Sequence, residues 1–308
     1  MDKTLVSIVV ITYNSSRYIC ETLDSIHCQT YQNIELIIAD DCSTDETLYC
    51  CEKWISKYGE RFSAVKLLPS HENYGIPANC NKGIVACEGE WIKLIAGDDI
   101  LLKDCIELNL DFIQSNRNQG ILFLVSNMIS FLDWDYLSEE NVNVYNSRIF
   151  SGKYSAKEQY NEVLKGFFGN SPTFFVNRSV YELISYDVSY PYMEDYPFVL
   201  NVLKNGIKIH LMDSVTVRYR IRNNSAYNED VKFIFSRFYK KQRSFDKKER
   251  LPFMSFSQRA YENWIYYKKL FFDKFKLNVK NRFNVFLFLY IDLLNPFYIY
   301  NRFKEILK

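Results

Sequence analysis

Histidine is scarce in this 308-residue chain, and its cysteines form no close metal-binding pairs. There are three histidines and eight cysteines, all of the latter at or before Cys105, with no C-x-x-C spacing. Zinc sites need closely spaced Cys and His ligands, so none is expected. No G-x-G-x-x-G or Walker A motif occurs, which disfavours a dinucleotide-dependent dehydrogenase and a P-loop enzyme.

Long apolar runs are also missing. The closest approach to the roughly 18 residues that span a bilayer is residues 283–300, which Asn284, Asp292, Asn295 and Pro296 interrupt. The first residues carry no basic-then-apolar signal sequence. We therefore expect a cytoplasmic protein whose thiols are reduced.

Charge is nearly balanced overall but unevenly divided. The net charge of +1 gives no general case for nucleic acid. Residues 231–308 hold 18 Lys and Arg against 6 Asp and Glu, a net +12, so residues 1–230 hold 20 against 31, a net −11. Basic residues among Phe and Tyr, as in residues 266–276, suit a membrane interface. A solvated basic face, a helical cap over an acceptor site and a homodimer contact are the alternatives.

The first hundred residues alternate strand-like and helix-like segments. Strands are predicted at residues 7–12, 34–39, 65–68 and 91–96, and helices at 18–28, 43–58 and 76–86. Ser43 and Glu46 read as a capping box for the second helix. Because parallel strands need a helical crossover, this order predicts a parallel sheet.

The rest of the chain reads as a second half of this domain followed by a helical extension. Predicted elements are a helix at 103–114, a strand at 121–129, a helix at 196–204, strands at 207–211 and 215–221, and helices from about residue 229. We expect one domain at 1–228, with halves at about 1–100 and 101–228, and a basic aromatic tail at 229–308.

Polar clusters follow three of the predicted strands. They are Thr12-Tyr13-Asn14, Asp40-Asp41 and Asp98-Asp99. In open parallel sheets, ligands bind beyond the carboxyl ends of the strands. The three clusters therefore predict an active site along one edge of the sheet.

These residue types suit the transfer of a sugar from a nucleotide diphosphate. That reaction needs a grip on base and ribose, positive charge for the leaving diphosphate, and a base for the acceptor hydroxyl. Adjacent carboxylates such as Asp98 and Asp99 can hold Mg²⁺ or Mn²⁺ with substrate phosphates, although alone they equally suit a helix N-cap. Glu194 and Asp195 could supply the base, although alone they read more simply as helix-start charge.

Three arginines alternate along a predicted strand. Arg218, Arg220 and Arg222 are two residues apart, so their side chains share one face. A row of guanidinium groups suits a diphosphate. A charged edge strand that resists aggregation is the alternative.

Together these segments resemble the inverting family 2 glycosyltransferases of bacterial surface-polysaccharide synthesis. The resemblance is carried by SIVVITYNSSRYICETLDSIHCQTYQNIELIIADDCSTDET, HENYGIPANCNKGIVACEGEWIKLIAGDD, MEDYPFVLNVLKNG and YRIRNNS, and it covers about residues 5–225. It implies a GT-A, Rossmann-like α/β fold with a mostly parallel sheet flanked by helices. Residues 1–228 would then be the catalytic domain, with a nucleotide-sugar half at about 1–100 and an acceptor half at about 101–228.

The resemblance implies roles for individual residues. Tyr13 stacks on the nucleotide base, Asp41 recognises the base edge, most often uracil, and Asp40 lies beside it. Asp98 contacts the ribose or the metal, and Asp99 is the principal ligand of Mn²⁺ or Mg²⁺. The implied nucleotide-side residues are Thr12, Tyr13, Asn14, Asp40, Asp41, Asn73, Asn79, Lys82, Gly83 and Asp98.

Catalysis is implied at the second acidic pair. Asp195 is the general base, Glu194 positions the acceptor, and Arg220 and Arg222 lie at the diphosphate. Two positions depart from the family pattern: Gly97 replaces the first Asp of D-x-D, and Arg222 replaces the His of Y-R-x-H-x-x-S. Arg222 would then supply positive charge directly.

The expected function is hexosyl or N-acetylhexosaminyl transfer, with inversion, from a UDP-sugar to a hydroxyl of a glycan or lipid-linked oligosaccharide. The expected place is the inner face of the cell membrane, with the tail in peripheral contact. The alternatives are a polyprenyl-phosphate glycosyltransferase and an inactive sugar-nucleotide-binding subunit. A nucleotidyltransferase is disfavoured, because a glycine-rich basic loop would replace Thr12-Tyr13-Asn14.

Overall fold

The chain divides into two compact units, Met1–Arg220 and Ile221–Lys308. The computed structural model describes residues 4–132, 141–143, 149–166, 170–221 and 233–299. The predicted boundary between residues 228 and 229 lies outside the described residues and stays a prediction.

The described strands form one mixed sheet in the first unit. They are β1 (Val6–Thr12), β2 (Ile34–Asp40), β3 (Ala64–Pro69), β4 (Trp91–Ala96), β5 (Ile100–Leu101), β6 (Phe123–Leu132), β7 (Asn141–Asn143), β8 (Phe174–Asn177) and β9 (Ile209–Ile221). The order is β3-β2-β1-β4-β8-β6-β9-β5, with β7 beside β6. β9 therefore lies inside the sheet, which argues against the edge-strand alternative for its arginines.

Strand direction changes halfway across the sheet. β3, β2, β1 and β4 are parallel, as predicted. The pairs β4–β8, β8–β6 and β9–β5 are antiparallel. Thr12 pairs in register with Asp40, so the ends of β1 and β2 meet at one edge. The sheet is thus parallel on the side that carries the predicted nucleotide loops.

Helices cover the first unit's sheet because each buries an apolar stripe. They are α1 (Ile19–His27), α2 (Thr47–Tyr58), α3 (Ile76–Val85), α4 (Cys105–Ser115), α5 (Ala156–Val163), α6 (Arg178–Leu183) and α7 (Asp195–Lys204), with short 3-10 turns at Gly59–Arg61, Arg117–Gln119 and Ser171–Thr173. The predicted apolar positions of α1, namely Ile19, Leu23 and Ile26, are fully buried. β1 and β2 bury nearly every side chain, as expected for central parallel strands.

The predicted capping box at Ser43 is wrong. α2 begins at Thr47, and the side chain of its N-cap residue, Glu46, makes no capping hydrogen bond. The Ser43 hydroxyl instead donates to the Asp40 carboxylate and accepts from the Asn14 N–H. The Ser43 hydroxyl is therefore bonded to the loop after β1 and to the end of β2, and it does not cap the helix.

The second unit is helical in its described part, as predicted. It contains α8 (Tyr239–Phe245), α9 (Phe256–Lys274) and α10 (Arg282–Tyr290), a π-helical turn (Asp246–Arg250) and 3-10 turns (Leu251–Phe253 and Ile291–Leu294). Phe245 and Phe272 are its fully buried large side chains. Within the described residues, no helix has both the length and the apolar character needed to cross a bilayer.

Candidate active site

The loop after β1 presents an exposed aromatic ring on a fixed backbone. Asn14 has a left-handed φ of 50°, and its Oδ1 accepts from the Thr44 N–H at 2.8 Å. The carbonyl of buried Thr12 accepts from the Asp41 N–H at 2.9 Å. The Tyr13 side chain remains 48% exposed, which leaves its ring open to stack on a base.

Asp40 and Asp41 have different surroundings. Asp40 is fully buried, and its carboxylate accepts from both the N–H and the hydroxyl of Ser43. The Asp41 carboxylate accepts from the backbone N–H groups of Tyr74 at 3.0 Å and Gly75 at 2.8 Å. Asp40 thus holds its own turn, whereas Asp41 fixes the loop that leads into α3.

The predicted nucleotide-side residues around α3 are mostly tied to the end of β2. The Lys82 ammonium donates to the Asp40 carbonyl at 2.8 Å and to the Ser70 hydroxyl at 2.5 Å. Burial lowers the pKa of Lys82, and the charges of Asp41 and Asp40 oppose that shift. The Asn79 amide donates to the Ala39 carbonyl at 2.8 Å, and the Asn73 Oδ1 accepts from the Gly75 N–H at 3.2 Å.

Gly83 faces the sheet, whereas the family resemblance implies that it lies on the nucleotide side of α3. A Cβ atom at this position would lie 2.5 Å from Cγ1 of Val9 and 3.4 Å from Cβ of Ala39. α3 packs on β1 and β2 at this point. Close helix–sheet packing explains the glycine.

The acidic turn after β4 separates two neighbouring carboxylates. Asp99 is only 1% exposed, and its Oδ1 accepts from the Arg220 N–H at 2.9 Å. The Asp99 carbonyl accepts from the Thr22 hydroxyl at 2.8 Å, which ties the turn to α1. Asp98 is half-buried. Asp99 is therefore built into the fold, and Asp98 is the more accessible of the two.

The glycine that replaces the first Asp of D-x-D has a steric cause. A Cβ atom at Gly97 would lie 3.0 Å from both the Thr12 hydroxyl and Cδ1 of Ile19. The Gly97 N–H also donates to the Ile11 carbonyl at 2.9 Å. The turn packs so closely on β1 and α1 that a side chain here would require its neighbours to move.

Arg220 supports the acidic turn from inside the protein. Its guanidinium donates from Nε to the Asp98 carbonyl at 2.8 Å and pairs with the Glu21 carboxylate. The rings of Phe131 and Tyr18 lie 4.6 Å and 4.8 Å from its Cζ. Arg220 is 3% exposed, so its predicted contact with a diphosphate would need these partners to be shared.

The structure describes only one of the other two arginines of the predicted row. Arg218 lies over the same Phe131 ring at 4.7 Å, so Arg218 and Arg220 share one face, as predicted. Arg222 lies outside the described residues. Its predicted place at the diphosphate stays a prediction.

Glu194 and Asp195 stand at the start of α7, as the sequence indicated. The Ser171 hydroxyl donates to Glu194 at 2.8 Å, and the Tyr196 N–H donates to Asp195 at 2.7 Å. Burial raises the pKa of Glu194. Burial also raises the pKa of Asp195 well above its usual range, and the neighbouring Glu194 charge adds to that shift. A carboxylate with a raised pKa is a stronger proton acceptor.

Tyr219 lies near both acidic pairs, and the sequence alone assigned it no role. Burial raises the pKa of Tyr219 to about 12, and the charges of Asp99, Asp98 and Glu194 act in the same direction. These carboxylates are therefore near enough for their charges to act on the Tyr219 phenol. The available signal was the first residue of YRIRNNS, which lies on the opposite strand face from Arg218 and Arg220.

The loop before α3 also lies close to the segment that leads into α7. A Cβ atom at Gly75, whose φ is +88°, would lie 3.2 Å from the Pro191 carbonyl oxygen. Burial and then the charge of Glu194 raise the pKa of Cys80 on α3. The structure thus brings together the β1 and β2 loops, the acidic turn and the start of α7.

The residues of the acidic turn fit a divalent ion that is shared with a diphosphate. Among the described residues, no three His, Cys, Asp or Glu side chains are grouped to hold a metal on their own. Mg²⁺ and Mn²⁺ prefer oxygen ligands, and Mg²⁺ is usually held by one or two carboxylates together with substrate phosphates. Asp98 and Asp99 supply that number of carboxylates.

Comparison with known proteins decides the family. The family model described as glycosyl transferase family 2 matches residues 7–184, more than half of the chain. The chain belongs to this family. Family 2 glycosyltransferases similar to it include an uncharacterized one from Methanocaldococcus jannaschii, 27% identical over 75% of this chain and 76% of the relative.

Other relatives of this family 2 glycosyltransferase have named activities. The Escherichia coli UDP-Glc:alpha-D-GlcNAc-diphosphoundecaprenol beta-1,3-glucosyltransferase WfgD is 26% identical over 75% of this chain and 83% of its own. The putative teichuronic acid biosynthesis glycosyltransferase TuaG of Bacillus subtilis is 27% identical over 72% and 81%.

Solved structures agree on the GT-A fold. Staphylococcus aureus TarS 1-349 in complex with UDP-GlcNAc superimposes with a TM-score of 0.58 at 20% identity, covering 83% of this chain and 78% of that one. The α/β sheet with flanking helices therefore confirms the predicted fold class.

Proposed function

We propose that this glycosyltransferase moves a hexosyl or N-acetylhexosaminyl group from a UDP-sugar to a hydroxyl of a glycan or lipid-linked oligosaccharide, with inversion, in cell-surface polysaccharide synthesis. The observation that carries the proposal is the meeting of the loops after β1, β2 and β4 at one edge of the sheet. There the Asp41 N–H donates to the Thr12 carbonyl and the Gly97 N–H donates to the Ile11 carbonyl, both at 2.9 Å. The names of WfgD, which uses UDP-Glc, and of the TarS complex with UDP-GlcNAc support the donor class.

The donor nucleotide binds over the β1 and β2 loops. Tyr13 stacks on the base, and its exposed ring supports this role. Asp41 accepts a hydrogen bond from the uracil edge while it holds the loop before α3, since a carboxylate has lone pairs for more than two donors. The pocket behind the ribose is lined by Thr12, Asn14, Asn73, Asn79 and Lys82.

Asp98 and Asp99 would hold a divalent ion, Mn²⁺ or Mg²⁺, which would offset the negative charge of the diphosphate. Asp98 would be the more accessible ligand, because it is half-buried whereas Asp99 is buried. Asp99 fixes the turn through the Arg220 N–H, so the Asp98 carboxylate keeps one position. Arg222 adds positive charge at the diphosphate.

Asp195 removes the acceptor proton. The hydroxyl oxygen then attacks the anomeric carbon in line, the bond to the diphosphate oxygen breaks, and UDP leaves. Glu194 orients the acceptor, and its bond from Ser171 supports a fixed position. An α-linked donor gives a β-glycoside by this single displacement.

The helical unit associates peripherally with the inner face of the cell membrane. Its net positive charge and its aromatic content support this location. A lipid-linked acceptor would then meet the enzyme at the surface where the lipid lies. A homodimer remains a separate prediction.

The test is UDP release from UDP-glucose and UDP-N-acetylglucosamine in the presence of lipid-linked or oligosaccharide acceptors. Asp195→Asn should lower the acceptor-dependent rate by about 100- to 10 000-fold, the usual contribution of a general base. UDP should still raise the melting temperature of this variant. An unchanged rate would favour the polyprenyl-phosphate glycosyltransferase alternative, because a phosphate acceptor barely needs a base. No release by the wild-type enzyme with any donor would favour an inactive subunit.

A further inference from the structure

Large apolar side chains are exposed along residues 282–294 of the helical unit. Between 52% and 76% of each is accessible: Phe283, Phe286, Leu289, Tyr290, Leu293 and Leu294. Positions 283, 286, 290 and 293 recur at helical spacing, so they lie on one side of α10 and the turn after it. We call these six side chains the apolar stripe.

The opposite side of α10 is occupied by the unit's own core. Asn284 is buried, and its amide donates to the Val279 carbonyl at 3.1 Å. The Phe288 ring stacks on Phe235 at 5.3 Å and meets Phe272 edge-on at 5.1 Å. α10 is therefore anchored by one side, and its stripe faces away from these contacts.

Exposed cations precede the apolar stripe. They are Lys274, Lys276, Lys280 and Arg282. Lys280 and Arg282 line the same shallow groove, about 550 Å³ in volume, as Phe286, Leu289 and Tyr290. Positive charge and apolar surface are thus side by side.

The acidic residues of this region are turned inward. Asp273 accepts from the Lys240 ammonium at 2.7 Å and from the Tyr239 hydroxyl at 3.0 Å. Asp292 accepts from the Lys268 ammonium at 2.7 Å and from the Trp264 indole at 2.8 Å. With both carboxylates paired inside the unit, the charge exposed beside the stripe is positive.

We infer that the apolar stripe inserts into the interface of an anionic phospholipid membrane while the adjacent cations contact lipid phosphates. The inference rests on the proposed membrane association and names the segment responsible. Aromatic rings and basic residues together match the headgroup level of a bilayer. An exposed patch of this kind marks an interaction site, and positive charge favours an anionic partner over an apolar protein surface.

The sequence predicts membrane contact for the whole tail, with residues 266–276 as an example, and that example is only partly exposed. Tyr267, Phe271 and Phe275 are 45% to 59% exposed. Phe272 in the same segment is fully buried, and Lys268 is 8% exposed and paired with Asp292. Interleaved basic and aromatic residues in a sequence therefore do not separate core from surface. We therefore assign the main contact to α10 and the turn after it, where the exposed apolar side chains lie beside cations.

Flotation of the full chain with vesicles tests the inference. The probes are vesicles of phosphatidylcholine alone and with phosphatidylglycerol. The variant Phe283→Ser/Phe286→Ser/Leu289→Ser should bind phosphatidylglycerol vesicles at least about tenfold more weakly than wild type, since each exposed side chain contributes apolar area on insertion. Lys280→Ala/Arg282→Ala should lower binding to anionic vesicles and leave the weak binding to neutral ones unchanged.

A matched control removes exposed apolar side chains elsewhere. Tyr49→Ser/Val85→Ser/Leu183→Ser should float as wild type does. Equal flotation of wild type and the stripe variant, equal loss in the control, or no flotation of wild type would each overturn the inference. A wild-type dimer that the stripe variant abolishes, without flotation, would assign the stripe to a second copy instead. The melting-temperature shift with UDP and Mn²⁺, measured on each variant, reports the donor site separately.

Discussion

At the acidic turn after β4, two adjacent carboxylates differ in burial, and we propose that one positions the turn while the other binds the metal ion. Asp99 is buried against the Arg220 N–H, and Arg220 in turn donates to the Asp98 carbonyl. The family resemblance implied that Asp99 is the principal metal ligand and that Arg220 lies at the diphosphate. Because Asp99 and Arg220 are both buried, we favour Asp98 as the metal ligand that lies within reach of a bound diphosphate.

Alanine at each position separates these roles. Asp98→Ala should remove the Mn²⁺-dependent stabilisation by UDP and leave the free energy of unfolding of the ligand-free protein nearly unchanged. Asp99→Ala should lower that free energy by about 1–3 kcal/mol, because a buried N–H loses its acceptor. Thermal and denaturant unfolding measure both. An Asp99→Ala protein of wild-type stability that no longer responds to Mn²⁺ would restore Asp99 as the principal ligand.

The acid pair at the start of α7 makes a pH prediction. The proposed base, Asp195, must be ionised to act, and its pKa is raised by burial and then by the Glu194 charge. Removing that charge lowers this pKa, so Glu194→Gln should move the acidic limb of the kcat/KM profile to lower pH. Glu194→Asp keeps the charge and should leave the limb near its wild-type position. A limb that moves equally in both variants would argue against charge coupling.

At the scale of elements, α3 shows a packing role for a glycine that the family resemblance places on the nucleotide side. A Cβ atom at Gly83 would lie 2.5 Å from Cγ1 of Val9 in β1. Gly83→Ala should lower the free energy of unfolding by about 1–3 kcal/mol, the usual cost of overpacking. In a double-mutant cycle, Val9→Ala should recover part of that loss, because it removes the methyl group in the way. Additive losses would show that the clash is not the cause.

Elements that depend on local pattern could be predicted from sequence, and those set by distant partners could not. The apolar runs of β1, β2 and β4 give nearly the observed bounds because burial on both faces demands them. The start of α2 was missed because Ser43 bonds to Asp40 and Asn14 rather than to its own helix.

The same distinction holds for the candidate site. Thr12, Tyr13, Asp41 and Asp98 follow strands, and parallel topology alone brings such ends together. Tyr219 and Glu21 were missed because β9 and α1 are far apart in sequence, and only the folded chain places them against the acidic turn.

For the whole molecule, the units carry different surfaces suited to one task. The first unit gathers carboxylates and an exposed ring at the edge of a parallel sheet, which suits a nucleotide diphosphate with a divalent ion. The second presents cations and an apolar stripe, which suits a lipid surface. An enzyme that adds sugars to a lipid-linked glycan needs both properties.

The central claim is that the first unit binds a UDP-sugar through a divalent ion, and nucleotide-dependent thermal stabilisation tests it most directly. Melting temperatures of the full chain would be measured with UDP, GDP, CMP and TDP, each with and without Mn²⁺. We expect UDP to raise the melting temperature only when Mn²⁺ is present, and the other nucleotides to raise it little. If no nucleotide stabilises the protein with Mn²⁺, the account of the donor site is contradicted.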